Sequence, residues 1–150
     1  MKIIRMEGAG EQLAAFAHAK TLFDVVRKKS VAATPEEKVR QMVIHYLIEK
    51  KQYPRVLLGV EISLSVNRLQ KRCDLLAYKN NQPVMIAECK APSVKISQAV
   101  FEQAARYNLS LQVPYLLVTN GLLALCCRVD LKKGTFEFLD EIPAYSELLS

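Results

Sequence analysis

Two segments rich in strand-forming residues, Lys71–Tyr78 and Val84–Lys90, flank Lys79-Asn80-Asn81-Gln82-Pro83, and a turn there folds them into a hairpin. With the turn centred on Asn81, the numbers of paired residues sum to 162, so that Tyr78 faces Val84 and Asp74 faces Glu88. Directly opposed side chains point to one side of a sheet, with Cβ atoms roughly 4.5–5.5 Å apart. Lys90, two residues past Glu88, shares that side. Two carboxylates and an ammonium therefore converge. Like charges opposed across a strand pair destabilise it, which calls for a compensating cation. A hard divalent ion such as Mg²⁺, held by carboxylates and otherwise by water and phosphate, meets that need. The same alternation places Cys73 and Cys89 together on the opposite, core face.

Around this hairpin the periodicities set an order of elements. Thr34-Pro35 opens a helix, with Thr at the N-cap, Pro at the first helical position and Glu36 and Glu37 in the first turn. Val39, Met42, Val43, Tyr46 and Leu47 follow helical spacing, and the helix ends near Lys51, before Pro54. Val56–Val66 alternates as a strand. After the hairpin, Ala91-Pro92-Ser93 breaks the chain and a helix follows from about Gln98 to Leu111. Pro114–Thr119 is apolar enough for a central strand. Asn120-Gly121 turns into Leu122–Asp130, and Thr135–Leu139 adds a sixth strand. Residues 1–22 read as an N-terminal extension. Glu11–Lys28 suits an amphipathic helix, while Phe23–Val26 equally suits a short strand. The expected architecture is α+β in αβββαβ order, a mixed sheet with helices against its faces, in one domain spanning 1–150.

Composition narrows the function classes. The formal charge of +6 suits a polyanionic partner. Arg27-Lys28-Lys29 and Arg68 to Arg72 are candidate phosphate contacts, although charge runs more often face solvent. No apolar run approaches the roughly 20 residues that span a bilayer, and the start lacks a signal-peptide core, so no membrane and a cytoplasmic location are expected. Cys73, Cys89, Cys126 and Cys127 form no C-x-x-C pair, and His18 and His45 lack ligand spacing, which argues against zinc. No G-x-x-x-x-G-K-[S/T] loop is present, hence no ATP site in this chain.

Asp74, Glu88-Cys89-Lys90 and Gln103-Ala104-Ala105-Arg106-Tyr107 resemble the D…E-x-K…Q-x-x-x-Y series of the PD-(D/E)XK nuclease superfamily. The closer resemblance is to the nuclease region at the N-terminus of type I restriction enzyme R subunits and to short stand-alone bacterial proteins built from it. Thr34–Gln41, Glu88–Pro92, Ala105–Asn108 and Val118–Gly121 carry that likeness, which runs from about Phe23 to Pro143. The resemblance implies a restriction-endonuclease-like core and a Mg²⁺-dependent endonuclease acting on DNA, with Mn²⁺ as substitute. Asp74, Glu88 and Lys90 become the catalytic set. Asp74, Glu88, the Cys89 carbonyl and an acidic residue of the first long helix become metal ligands. Glu37 is the choice for that acid and Glu36 the alternative, because angular arithmetic sets Glu36 nearer the apolar stripe. Lys90 either orients the attacking water or stabilises charge on the phosphate. Gln103, Tyr107, Arg106 and Arg72 become the residues that contact or orient DNA, with Arg106 and Asn108 at even odds between phosphate and plain surface. Glu61 reads more as a solvent-facing side chain than as an extra ligand. Without a motor domain, the implied partners are DNA and other restriction-modification or helicase chains, and a homodimer is compatible. The alternative reading is a nucleic-acid-binding or assembly module with this fold and little catalysis.

Overall fold

In the computed structural model, which describes residues 2–149, the chain begins with β1 (Ile4–Arg5), α1 (Ala9–Ala15), β2 (Thr21–Asp24) and β3 (Lys29–Ala32). It continues through α2 (Pro35–Glu49), a 3₁₀ turn at Arg55–Leu57, β4 (Leu58–Val66), β5 (Leu69–Lys79) and β6 (Gln82–Cys89). Then come α3 (Gln98–Leu111), β7 (Tyr115–Thr119), β8 (Leu123–Asp130), β9 (Thr135–Phe138) and a second 3₁₀ turn at Tyr145–Glu147. Seven strands form one sheet in the order β1-β8-β7-β6-β5-β4, with β9 paired to β8. Only β6 and β7 run parallel, joined through α3, so the sheet is mixed. The five residues of β7 are all buried, as its apolar sequence requires.

Helix α2 starts as its sequence dictates. Thr34 is extended, its hydroxyl accepts the Glu37 N–H at 3.2 Å, and Pro35 follows. Val39, Met42, Val43 and Leu47 pack on one face of the sheet. Phe101, Ala104, Ala105 and Leu111 of α3 pack on the other. The N-terminal segment is not one long helix. A short α1 precedes the β2–β3 hairpin, which forms a separate two-stranded sheet. The strand ends at Asp24 because its carboxylate accepts the N–H groups of Val26 and Arg27, a turn local enough to compete with helix.

The β5–β6 hairpin keeps the expected register where it matters: Leu75 pairs with Ala87 and Ala77 with Met85. The turn, however, has two residues rather than five. Asn80 (φ 54°) and Asn81 (φ 63°) both adopt the left-handed conformation that such a tight hairpin turn needs. A register shift at Ala77/Tyr78 absorbs the difference, so Tyr78 faces Pro83 and not Val84. Pro83 has no N–H to give to a ladder, and bulges are where sheets accommodate proline.

Strict alternation along the β4–β5 pair fails. Leu58, Val60, Leu75 and Ala77 belong to the core under α2. Ile62, Leu64, Val66, Leu69 and Cys73 pack on the α3 side. Both strands thus exchange faces between Val60 and Ile62 and between Cys73 and Leu75. The break coincides with Glu61 at φ 54°. Cys73 and Cys89 therefore lie in different cores, contrary to the alternation expected from sequence.

Asn81→Val puts a β-branched residue at positive φ and is expected to cost about 1–2 kcal/mol, read as a lower urea midpoint with an unchanged slope. Unchanged stability would mean that another turn serves equally well.

Candidate active site

Strand β6 delivers Glu88 to the α3 face of the sheet. Past the end of that strand, the Lys90 N–H still donates to the Thr119 carbonyl at 2.8 Å, so Lys90 stays on the strand's course before Ala91-Pro92 turns the chain. Glu88 and Lys90, with Lys71 of β5 and Gln103 and Tyr107 of α3, line a cleft of about 70 Å³. That volume admits a few waters. Gln103 and Tyr107 sit four apart on α3 and reach the cleft together. Tyr107 is 42% exposed and lies at the rim, while the helix packs through Phe101, Ala104, Ala105, Asn108 and Leu111.

Lys71 is the residue that sequence reasoning passed over. Its ammonium lies 2.7 Å from Glu88 Oε1 and 4.4 Å from the Tyr107 ring centroid. Lys71 lies three positions before Asp74, and simple alternation sends them to opposite faces. The face exchange beyond Cys73 is what leaves Lys71 on the Glu88 side.

Asp74 reaches the same strand from the other direction. Its Oδ2 accepts the Cys89 N–H at 2.8 Å, just beyond the last Leu75–Ala87 ladder pair. Its Oδ1 lies 3.7 Å from Arg40 of α2. The expected repulsion between Asp74 and Glu88 is thus offset within the chain, by Arg40 beside one carboxylate and Lys71 beside the other. Asp74 also has a structural duty, since removing its oxygens would leave a backbone donor of β6 without its partner.

Glu37 is buried, whereas Glu36 is exposed. Glu37 turns toward arginines, not toward Glu88. Its oxygens accept from Arg27 at 2.7 Å, from Arg40 at 2.8 Å and from Gln41 at 3.2 Å. Arg27 also binds the fully buried Asp24, and Arg40 extends to Glu61 at 3.4 Å. Burial pushes the Glu37 carboxyl up, but the hydrogen bonds from Arg40, Arg27 and Gln41 outweigh it and leave it at about 2. Asp24 is likewise lowered despite its burial, by Arg27, Gln41 and the Val26 N–H. Glu61 is lowered too: its slight burial is overcome by Arg40, Arg72 and Arg27.

Several expected DNA contacts are engaged elsewhere. Arg27 is enclosed by carboxylates and not free for phosphate, unlike the exposed Lys28 and Lys29 beside it. Arg72 is exposed but paired with Glu61 at 2.8 Å, which removes Glu61 from plain solvent. Arg106 faces a different groove, with Phe101, Phe136 and Phe138, away from the cleft. Asn108 is buried and donates to the Val113 carbonyl. The local spacings Asp24-x-x-Arg27 and Glu37-x-x-Arg40-Gln41 were the available signal for this network. A concavity of about 800 Å³ lies around the β8–β9 turn and is lined by residues other than those of the cleft.

Asp74 and Glu88, on neighbouring strands at the end of β6, are the carboxylates that could hold a divalent ion. Among the described residues, no three His, Cys, Asp or Glu side chains come together as a closed metal cage. Mg²⁺ does not need one, since it usually keeps waters and takes one or two carboxylates plus phosphate. Glu88 Oε1 is buried and, among the described residues, its close partner is the Lys71 ammonium at 2.7 Å, which an entering cation would have to replace.

A mixed sheet with α2 and α3 on its two faces, and a cleft of charged side chains where β6 ends, is the restriction-endonuclease-like α+β fold. Over residues 35–143, most of its length, the chain matches the type I restriction enzyme R protein N terminus family and belongs to it. A solved relative is a fragment assigned as an HsdR subunit of a type I restriction enzyme from Vibrio vulnificus YJ016, with TM-score 0.54 and 19% identity. The match covers 75% of this chain but only 24% of that one. Another is a protein assigned as a DUF820 nuclease from Anabaena variabilis ATCC 29413, with TM-score 0.47 and 12% identity, covering 93% and 94% of the two chains. Among curated proteins, none matches the chain significantly. Among the described residues, no helix is long and apolar enough to cross a membrane.

The arginine network predicts the acid limb of stability. Glu37 ordinarily titrates at 4.5 and is held at about 2 in the fold. Its contribution is complete above 4.5 and is lost as pH falls toward 2, because the unfolded chain then binds the extra proton. Arg27→Met leaves Asp24 and Glu37 short of a partner and is expected to cost about 3–5 kcal/mol near neutrality. It should also flatten stability between those pH values. Chemical denaturation across pH 2–7 reads both; an unchanged acid limb in the variant would remove the network from its stabilising role.

Proposed function

We propose that this chain is a metal-dependent nuclease that hydrolyses DNA phosphodiester bonds. The observation that carries the reading is the convergence of Glu88, Lys90, Gln103 and Tyr107 on one cleft, with Asp74 bonded to the backbone between Glu88 and Lys90. Asp74 and Glu88 would hold Mg²⁺ or Mn²⁺. Such an ion polarises a phosphate and lowers the pKa of a bound water. Lys90 sits within the same cleft to orient that water or to meet charge developing on the phosphate. Gln103 and Tyr107, on the rim, position the backbone. Glu37 acts indirectly, through Arg40, on the orientation of Asp74. Membership of the R-subunit N-terminal family supports DNA as substrate and restriction-modification chains as partners.

One observation favours the second reading, a DNA-binding module without catalysis. Both carboxylates already have a cation of the chain beside them, Arg40 and Lys71. Cleavage of supercoiled plasmid with Mg²⁺ and with Mn²⁺ decides between the two. Lys90→Ala should slow cleavage by about 10²-fold or more while metal and DNA still bind. Asp74→Asn is the informative acid variant, because the amide oxygen can still accept the Cys89 N–H. It should lose divalent binding with little loss of fold, whereas Asp74→Ala should also cost about 1–3 kcal/mol through the unpaired donor. Wild-type protein that cuts no form of DNA with either ion would give the binding module the lead.

A further inference from the structure

We propose that Lys71 is a substrate-contacting lysine of this site, one that exchanges partners. Without an ion it neutralises Glu88. When a divalent cation takes Glu88, Lys71 turns to a DNA phosphate. The inference rests on the metal-site reading above and adds a residue and a sequence of events to it.

Three observations carry it. The Lys71 ammonium is 2.7 Å from Glu88 Oε1, close enough to serve as its counter-ion. Its contacts there are this ion pair and an aromatic ring, and among the described residues no backbone carbonyl holds it in addition, in contrast to Arg40, which Glu37 also binds. It also lies over the Tyr107 ring at 4.4 Å, in a cleft open to solvent, which gives the cation a second foothold at the rim. An aromatic face attracts a cation by about 0.5–2 kcal/mol, enough to keep Lys71 at the cleft when Glu88 is engaged. Lys90 lines the same cleft but makes neither contact, so the two lysines have separate parts. A divalent ion entering beside Glu88 repels the ammonium, and the nearest new source of negative charge is the phosphate that the ion itself attracts.

The test compares wild type, Lys71→Met, Lys71→Arg and the exposed control Lys95→Met on one DNA duplex. Affinity is measured against salt, once in EDTA and once in a fixed concentration of Ca²⁺. Mn²⁺ binding to the DNA-free proteins is measured by calorimetry. Methionine keeps the aliphatic stem on Tyr107, and arginine keeps the charge should methionine perturb the fold. In Ca²⁺, Lys71→Met should reduce the salt slope by about one, the loss of a single phosphate contact. In EDTA its slope should equal that of wild type, because Lys71 is then held by Glu88. Its Mn²⁺ affinity should rise about three- to ten-fold, since a competing cation is gone. Lys71→Arg should retain the wild-type slope in Ca²⁺, and Lys95→Met should match wild type in all three measurements. Equal slopes for wild type and Lys71→Met in Ca²⁺, or weaker Mn²⁺ binding by Lys71→Met, overturn the proposal and make Lys71 a structural counter-ion. Wild type that binds Mn²⁺ and shows the Ca²⁺-dependent slope difference but never cuts DNA refutes the hydrolytic reading and leaves the exchange standing.

Discussion

The exchange of faces at Glu61 and Asp74 is the constraint on which the site depends. Regular strands would keep Lys71 and Glu88 apart and would send Ile62, Leu64 and Val66 into the core under α2. Instead the distal half of the β4–β5 hairpin packs against α3 while its proximal half packs against α2. The break requires a non-glycine residue at φ 54°, a conformation that costs roughly 1–2 kcal/mol. Glu61 meets that cost in company. Arg72 lies 2.8 Å away, Arg40 3.4 Å and Arg27 3.5 Å. Three guanidiniums around one carboxylate hold the backbone where glycine would be freer but unanchored.

Charge compensation then links elements that are distant in sequence. Asp24 closes the β2–β3 hairpin, Arg27 carries that anchor to Glu37 on α2, and Arg40 passes it to Glu61 and Asp74 on the sheet. Gln41, buried beside them, donates to both Asp24 and Glu37. Such a network is a costly way to gain stability, because each ion loses water. Its effect is positional: the carboxylate of Asp74 is fixed by Cys89 and Arg40 before any ligand arrives. Preorganised charge of this kind is what an active site uses.

The sequence was most legible where interactions are local or periodic. Thr34-Pro35 set the start of α2, apolar spacing set α3 from Gln98 to Leu111, and the E-x-K hairpin register survived from Leu75 to Ala77. Expectations failed where one residue departs from the average of its element. Asn81 was read as the centre of a loose turn because the tolerance of two adjacent asparagines for positive φ was not weighed. The basic run offers Arg27 as a candidate phosphate contact or a solvated charge, and Asp24 three positions earlier claims it instead. Lys71 was invisible as a site residue because alternation, correct for Leu75 and Ala77, does not extend past Asp74. The resemblance favours Glu37 over Glu36 as the acid near the metal; Glu37 is the buried one of the two, and its partners are arginines of the fold.

The arrangement also explains how two carboxylates can coexist on neighbouring strands. Asp74 and Glu88 belong to adjacent strands, and both charged side chains reach the end of β6. Left alone, they would repel each other across a partly dry surface. Arg40 approaches from the α2 side and Lys71 from the α3 side, one cation for each carboxylate. The two pairings are not equivalent. Arg40 is held by Glu37 through two further hydrogen bonds and cannot leave without uncovering a buried acid. Among the described residues, Lys71 contacts Glu88 and the Tyr107 ring, and its flexible stem ends in a cleft open to water. Neutralisation is therefore tied to a wider network at Asp74 but not at Glu88, so a cation entering the cleft would displace Lys71 before Arg40.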